Sequence, residues 1–229
     1  MFSNNAVPTK YSKLIMENLH DHRKIYQQSE LLENEVKENP LEQFRDWFFD
    51  AETHPAISEA NAMAISTVEP DGCPRIRMVL LKSYTWEGFT FYTNYDSRKG
   101  KAIDINGLAC LHFFWPPLER QVIIKAELQR IPENLSDGYF SSRPKGSQLG
   151  ALVSPQSREI PDRNYLEQKL AELEKEFADK EVPRPENWGG YIARPYEIEF
   201  WQGRPNRLHD RILYTLEEDY NWIISRLAP

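Results

Sequence analysis

A chain of 229 residues that is 40% hydrophobic and carries six tryptophans is long and apolar enough to bury a real core, which excludes a disordered polymer. Its net charge of -7 argues against a general nucleic-acid binder, so any anion site has to be local, built from a few clustered Arg and Lys. Cys73 and Cys110 show no metal or CxxC spacing, no apolar run reaches membrane-spanning length, and no secretory h-region opens the chain. The expectation is a soluble cytoplasmic protein with reduced thiols and no membrane or nucleic-acid partner.

Residues 1–38 are polar and charged and read as an N-terminal arm, partly flexible, ordered where it docks on something. Tyr11 to Leu19 suits a short helix. From residue 39 to 229 a single domain is expected. Asn39-Pro40-Leu41-Glu42 has a cap, a first-position proline and a capping-box-like acid. Leu41, Phe44, Trp47 and Phe48 then share one face of a helix ending near Ala51. After Asn61 the period changes to alternation. Strands are predicted over 62–68, 74–83, 89–94, 108–115 and 119–131, separated by turns such as Glu69-Pro70-Asp71-Gly72. A short helix is predicted over 132–142 and a clearer one over 162–177, capped by Asp162 and striped by Leu166, Leu170, Leu173 and Phe177. Closing strands follow at 188–192, 196–201, 207–214 and 222–227. Short strands with tight turns point to an antiparallel barrel or sandwich.

Five stretches carry candidate chemistry. Glu199 to Arg211 combines Trp201, Arg207, His209 and Arg211. If 207–214 is a strand, Arg207, His209 and Arg211 lie on one face and would attract an anion. On pattern alone it reads equally as a hairpin with solvated arginines. Arg75 to Lys82 sets Arg75 and Arg77 among Ile76, Met78, Val79, Leu80 and Leu81, where cations are costly unless paired or bound to a ligand. Arg77 and Lys82 differ in parity, so one shared site needs a bulge, a twist or a strand end; an exposed edge strand is the alternative. Tyr92 and Thr93 end a strand, and Ser97 caps a helix opening with Arg98 and Lys99, an arrangement that suits a phosphate as well as it suits a solvated turn. Tyr139 and Arg143 share a helix face, and Ser147 follows a Pro-Lys-Gly turn; together they suit a second phosphate, or Arg143 simply favours a helix C-terminus. Gln121, with Gln156 and Ser157, offers amides and a hydroxyl for a ring bearing carbonyls and N–H groups. No HExxH, GxSxG or GxGxxG is present, so metal, serine-hydrolase and Rossmann chemistries are not expected.

Ile198 to Gln202 followed by Arg207-Leu208-His209-Asp210-Arg211 resembles the signature of the pyridoxine/pyridoxamine 5'-phosphate oxidases. So, in order, do Arg77 to Lys82, Phe91 to Asn94, Ser97 to Lys99, Leu118 to Val122, Tyr139 to Pro144, Ser147 to Gly150 and the terminal Arg226-Leu227-Ala228-Pro229. The resemblance covers roughly residue 39 onward. It implies an α+β fold, mainly an antiparallel split β-barrel with peripheral helices, in a homodimer with FMN at the interface. It matches Arg77, Met78, Val79, Leu80, Leu81, Lys82, Tyr92, Thr93, Arg98, Lys99, Gln121, Gln156, Ser157, Trp201 and Arg211 to flavin positions. It matches Lys82, Tyr139, Arg143, Ser147, Arg207 and His209 to substrate positions, with Arg207 and His209 beside the reacting ring. Arg23 and Tyr26 resemble an Arg-x-x-Tyr element that covers the substrate. The implied reaction is oxidation of pyridoxine or pyridoxamine 5'-phosphate by dioxygen to pyridoxal 5'-phosphate and hydrogen peroxide. A non-catalytic carrier or sensor of FMN or pyridoxal phosphate on the same barrel is the alternative. Ile123 and Lys125-Ala126 depart from the pattern, which expects a more basic residue and a glycine there.

Overall fold

In the computed structural model, Asn39 starts the first helix for the reason its sequence suggests. Its Oδ1 accepts the Leu41 N–H at 2.9 Å, and Pro40 occupies the first turn of α1 (Pro40–Thr53). The structure describes residues 19–229; the helix expected over Tyr11–Leu19 lies outside them apart from its last residue. The apolar face of α1 fills the barrel. Phe44 is fully buried, 4.9 Å from Phe89, 5.1 Å from Phe113 and 5.2 Å from Tyr84 between ring centroids. Emptying such a site, as in Phe44→Ala, costs about 3–5 kcal/mol.

The strands are β1 (Ala62–Val68), β2 (Pro74–Leu80), β3 (Ser83–Thr85), β4 (Gly88–Asn94), β5 (Leu108–Trp115), β6 (Arg120–Arg130), β7 (Trp188–Gln202), β8 (Asp210–Leu216) and β9 (Trp222–Arg226). Every pairing is antiparallel. The order is β2-β1-β5-β6-β7-β4-β3, with β8 on β7 and β9 on β8. Only Leu81 and Lys82 separate β2 from β3, so the two ends of this path are joined in the chain and the sheet curls into a half-barrel. Helix α2 (Arg98–Ile105) follows β4. Helices α3 (Glu133–Ser142), α4 (Lys145–Val153) and α5 (Arg163–Glu176) form a satellite between β6 and β7, packed on Phe140, Leu149, Val182 and Trp188. The Asp162 cap of α5 is made, to the Tyr165 N–H at 2.9 Å.

Four local expectations need correction. The strand expected over 74–83 stops at Leu80 and restarts at Ser83. The two strands expected over 188–201 are one continuous β7; Pro195 is tolerated because it sits at a register shift opposite Lys125/Ala126, where a ladder bond is already lost. That irregularity falls on the departure noted at Lys125-Ala126. The turn expected at Pro144-Lys145-Gly146 is instead the start of helix α4, where burial of Leu149 and Val153 overrides the helix-opposing Gly146 and Gly150. Arg207 and His209 do not lie on a strand. Pro205–Arg207 is a tight turn with Asn206 and Arg207 at φ 58° and 62°, and β8 begins only at Asp210. The shared strand face of Arg207, His209 and Arg211 is therefore absent.

Candidate functional site

The strand end at Leu80 brings Lys82 to the same cleft as the residues lining β2. A cavity of about 470 Å³ is lined by Met78, Val79, Leu80, Lys82, Tyr92, Thr93, Lys99, Tyr139, Arg143, Pro144, Ser147, Gln156 and Trp188. Four of the five sequence stretches thus converge on one cleft, and the strand end at Leu80 removes the parity constraint between Arg77 and Lys82. Leu81 is the exception. Its side chain is in the core, and its N–H and C=O are both taken by Asn61.

At one side of the cleft, Lys99 Nζ donates to Gln156 Oε1 at 2.7 Å and to Thr93 Oγ1 at 2.9 Å. Ser97 Oγ accepts the Gly100 N–H at 3.2 Å and caps α2, which is what lays Lys99 inward. Burial first, then the Arg77 cation, pulls the Lys99 ammonium down to about 8. Arg77 Nη1 donates to Thr67 Oγ1 at 2.8 Å and to the Ile65 carbonyl at 3.3 Å, while its Nη2 is buried with no partner. Burial, and then the neighbouring Arg75, lower the Arg77 guanidinium as well. Two half-desolvated cations that repel each other, with amide and hydroxyl oxygens but no bonded carboxylate, form an anion cradle. Arg98 is exposed at the first turn of α2, and Ser157, at φ 70°, follows Gln156.

The second cation set lies across the same cleft. Arg143 caps the C-terminus of α3 and stacks over Trp188 at 4.7 Å from the ring centroid. Its Nη1 is also buried without a partner, and burial lowers its guanidinium. Tyr139 stacks on Tyr92 at 3.9 Å, and Tyr92 on Trp188 at 5.5 Å, so an aromatic wall stands beside Arg143. Ser147 sits in the first turn of α4. Trp188 escaped the sequence reading, where it marked only the start of a strand. An aromatic directly before Gly189-Gly190 was the available signal.

The remaining candidates gather at the other end of β7. Cross-strand register puts Gln121 of β6 opposite Trp201 of β7, and Trp201 opposite Arg211 of β8. Directly opposed residues share a face, and the register through β5 and β1 gives that face Phe114, Ala64 and Met78 as well. It is the outer face: Ile76 is 68% exposed, Met78 63% and Phe114 50%. Gln121 Oε1 meets His112 Nε2 at 3.1 Å, whereas Gln156 Oε1 bonds Lys99 and Thr93, so within one chain the two amides have different partners. Arg211 is held bidentately by Glu199 at 2.7 and 2.9 Å. His209 packs 4.6 Å from Trp201, and its Nδ1 accepts the Arg204 N–H at 3.1 Å. That bond leaves Nε2 as the donor of a neutral ring, and burial followed by the Arg207 cation lowers the His209 imidazole. Arg207 is exposed and makes no hydrogen bond or ion pair among the described residues. Tyr26 joins this group, 5.8 Å from Trp201 and 5.7 Å from His209, whereas Arg23 is exposed and its side chain donates to the His20 carbonyl. Roughly 40 Å of strand contour separates Trp188 from Trp201, at about 3.3 Å per residue.

A curled antiparallel half-barrel with peripheral helices defines an α+β split barrel, here with buried guanidinium nitrogens that lack partners beside stacked aromatics. Residues 49–176 match the family described as "Pyridoxamine 5'-phosphate oxidase", and residues 188–229 match "Pyridoxine 5'-phosphate oxidase C-terminal dimerisation region". The chain is 57% identical over 214 residues to a "Pyridoxine/pyridoxamine 5'-phosphate oxidase" of Flavobacterium psychrophilum, covering 93% of this chain and all of that one. It is 48% identical to the "Pyridoxine-5'-phosphate oxidase" of Bos taurus, over 83% of this chain and 78% of that protein. Among solved structures it is similar to PhzG from Burkholderia lata 383, in complex with tetrahydrophenazine-1-carboxylic acid, with TM-score 0.82 and 27% identity over 89% of this chain and 100% of that one. The chain belongs to the pyridoxine/pyridoxamine 5'-phosphate oxidase family and is an oxidoreductase. Among the described residues, no helix is long and apolar enough to cross a membrane.

Proposed function

We propose that the protein oxidises pyridoxine 5'-phosphate and pyridoxamine 5'-phosphate to pyridoxal 5'-phosphate, with FMN as cofactor and dioxygen as final acceptor. One observation carries the reading: Arg143, which lines the cleft, has a buried Nη1 with no partner, and Arg77, whose buried Nη2 also lacks a partner, stands close enough to Lys99 of the same cleft to lower its ammonium. An unpaired buried cation is expensive, and two of them call for two anions. The residues fit FMN, whose phosphate would be held by Arg77, Thr93, Arg98 and Lys99. Tyr139, Arg143, Ser147 and Lys82 would hold the substrate phosphate. Phosphate binding at this end anchors the substrate away from its reacting carbon, so orientation rather than a strong base lowers the barrier. FMN, when bound, supplies the two-electron acceptor that dioxygen reoxidises, giving hydrogen peroxide; the alcohol substrate loses two hydrogens, and the amine is hydrolysed to the aldehyde and ammonia after the same loss.

Arg207 and His209 would align the pyridine ring, with His209 Nε2–H as a neutral donor. These two, with Gln121, Trp201 and Arg211, stand at the far end of β7 from the phosphate cradles. The proposal is therefore a homodimer in which one protomer supplies the cradles and its partner supplies this second set, with FMN at the interface. Exposed Ile76, Met78 and Phe114 on the same outer face as Trp201 support burial of that face. The test is anaerobic addition of each substrate to the flavin-loaded protein. Bleaching of the flavin, followed by pyridoxal phosphate and peroxide on admitting air, is expected. Tight binding with no bleaching would replace the oxidase by a carrier or sensor.

A further inference from the structure

Glu119 is a buried carboxylate, 1% exposed, at a left-handed backbone position (φ 55°) that non-glycine residues rarely adopt. Such strain persists where surrounding contacts over-determine it. Those contacts run to two places. Its Oε2 accepts the backbone N–H groups of Gln27 at 2.8 Å and Gln28 at 3.0 Å, and its Oε1 pairs with Lys24 Nζ at 2.9 Å. Its own carbonyl accepts the Gly203 N–H at 2.7 Å, at the start of the turn that carries Arg207 and His209. Tyr26 lies inside the span that Glu119 clamps. The Tyr26 ring rests on Gly203, where an added Cβ would come within 2.8 Å of Tyr26 Cγ, and edge-on against Trp201 and His209.

We propose that Glu119 is a positioning residue for the substrate: it latches the arm so that Tyr26 walls the Trp201–His209 pair. The proposal rests on the oxidase reading and deepens it. Glu119 touches no ligand itself. It acts through Lys24, Gln27 and Gln28 on the arm, and through Gly203 on the turn beneath Tyr26. Further anchors of the arm lie C-terminal to Tyr26, among them Leu31 N–H to Asp210 Oδ2 at 3.1 Å, Arg204 Nη1 to the Ser29 carbonyl at 3.1 Å and Arg226 Nη2 to the Leu31 carbonyl at 2.8 Å. Without Glu119 the arm stays attached by these, but Tyr26 is no longer bracketed.

The test uses the full-length, flavin-loaded protein and the variants Glu119→Gln, Lys24→Ala, Tyr26→Ala and the Glu119→Gln/Lys24→Ala pair. Glutamine keeps one oxygen for Gln27 and Gln28 but sets an amide NH2 against the Lys24 ammonium. Glu119→Gln should raise KM for pyridoxamine 5'-phosphate about tenfold with kcat within about twofold, and speed hydrogen exchange at the Gln27 and Gln28 amides. Removing the ammonium in the double variant should recover most of the KM, a coupling that general destabilisation would not give. Tyr26→Ala should reproduce the KM rise. Faster exchange with unchanged KM overturns the proposal, as does a KM rise that Lys24→Ala does not relieve. If the wild-type protein turns over neither substrate, the oxidase reading fails separately. The same variants are then read by equilibrium dialysis of pyridoxal 5'-phosphate, where a weakening of about tenfold supports the latch and equal affinity overturns it.

Discussion

The two ends of β7 treat their cations in opposite ways. In and beside the cleft at the Trp188 end, Arg77, Lys99 and Arg143 are buried or half-buried, and none forms a salt bridge with a carboxylate among the described residues; Arg184, which donates to the Trp188 carbonyl, is the exception there, paired with Asp137. Near Trp201 almost every cation has its acid: Arg211 with Glu199, Arg204 with Glu30 and Asp210, Arg226 with Glu33 and Asp210, Lys24 with Glu119. Among the described residues, Arg207 beside Trp201 and His209 is left over, as is Arg23 on the arm. An internally neutralised network fixes geometry; an unneutralised one waits for an anion. On the proposed function, the comparison separates residues that would hold phosphate from residues that hold other residues, and Arg207 would be the part of the second end aimed at a ligand.

The largest expected effect comes from emptying the unneutralised end. Arg143→Ala removes a charge-assisted phosphate contact and should cost about 3 kcal/mol, a hundredfold or more in kcat/KM, with flavin still bound. Steady-state kinetics with a flavin absorbance check reads it; normal kcat/KM would break the assignment. Lys99→Met comes next. It should weaken flavin about thirtyfold, near 2 kcal/mol, while saturating flavin restores kcat/KM for the substrate. If the substrate KM stays high when flavin is saturating, the two cradles are not separate. Titration of apoprotein by flavin fluorescence quenching measures the first quantity.

Much of this was readable from the sequence, but only where a local rule governs. The Asn39, Ser97 and Asp162 caps and the extents of β1 and β5 follow from capping and alternation, which act within a few residues. Side-chain parity paired Arg77 with Val79 correctly, yet it could not show that the strand ends at Leu80, because that end is set by Leu81 bonding across to Asn61 and Lys82 to Thr90. Helix α4 was hidden by its glycines and is fixed by Gln148, whose amide donates to the carbonyls of Phe140 and Ser141. Gly203, Pro205 and Asn206 mark a turn by residue type, but its extension through Arg207 is hidden because two consecutive left-handed residues contradict the local preference for a strand. Nor does any pattern reveal that Gln121 and Gln156 fall in different halves of the site, since that depends on the register of β6 against β7.

A smaller effect tests the charge state of the first end. Lys99 in the apoprotein loses its proton near pH 8, its ordinary value having been lowered by burial and by Arg77. Below that pH the ammonium is ready for an anion. Above it, binding has to take up a proton, so flavin affinity should fall as pH rises, by up to roughly tenfold per unit beyond pH 8. Flavin titrations from neutral to alkaline pH read the slope, and Lys99→Met should flatten it. A slope that persists in Lys99→Met would place the titrating group elsewhere.

The smallest effect belongs to the neutralised end. Arg226 donates to Asp210 Oδ1 at 2.8 Å and to the Leu31 carbonyl at 2.8 Å, and it also pairs with Glu33. It ties β9 to the arm and to the first residue of β8 without reaching either phosphate cradle. Arg226→Ala should lower Tm by only about two to four degrees, because its partners keep access to water or to Arg204. Flavin affinity should not change. The Tm difference between variant and wild type should also shrink at high salt, as expected for a partly exposed ion pair. Loss of flavin in Arg226→Ala would show that the two ends of β7 are coupled through the barrel, and the division between holding phosphate and holding structure would then fail at its most peripheral residue.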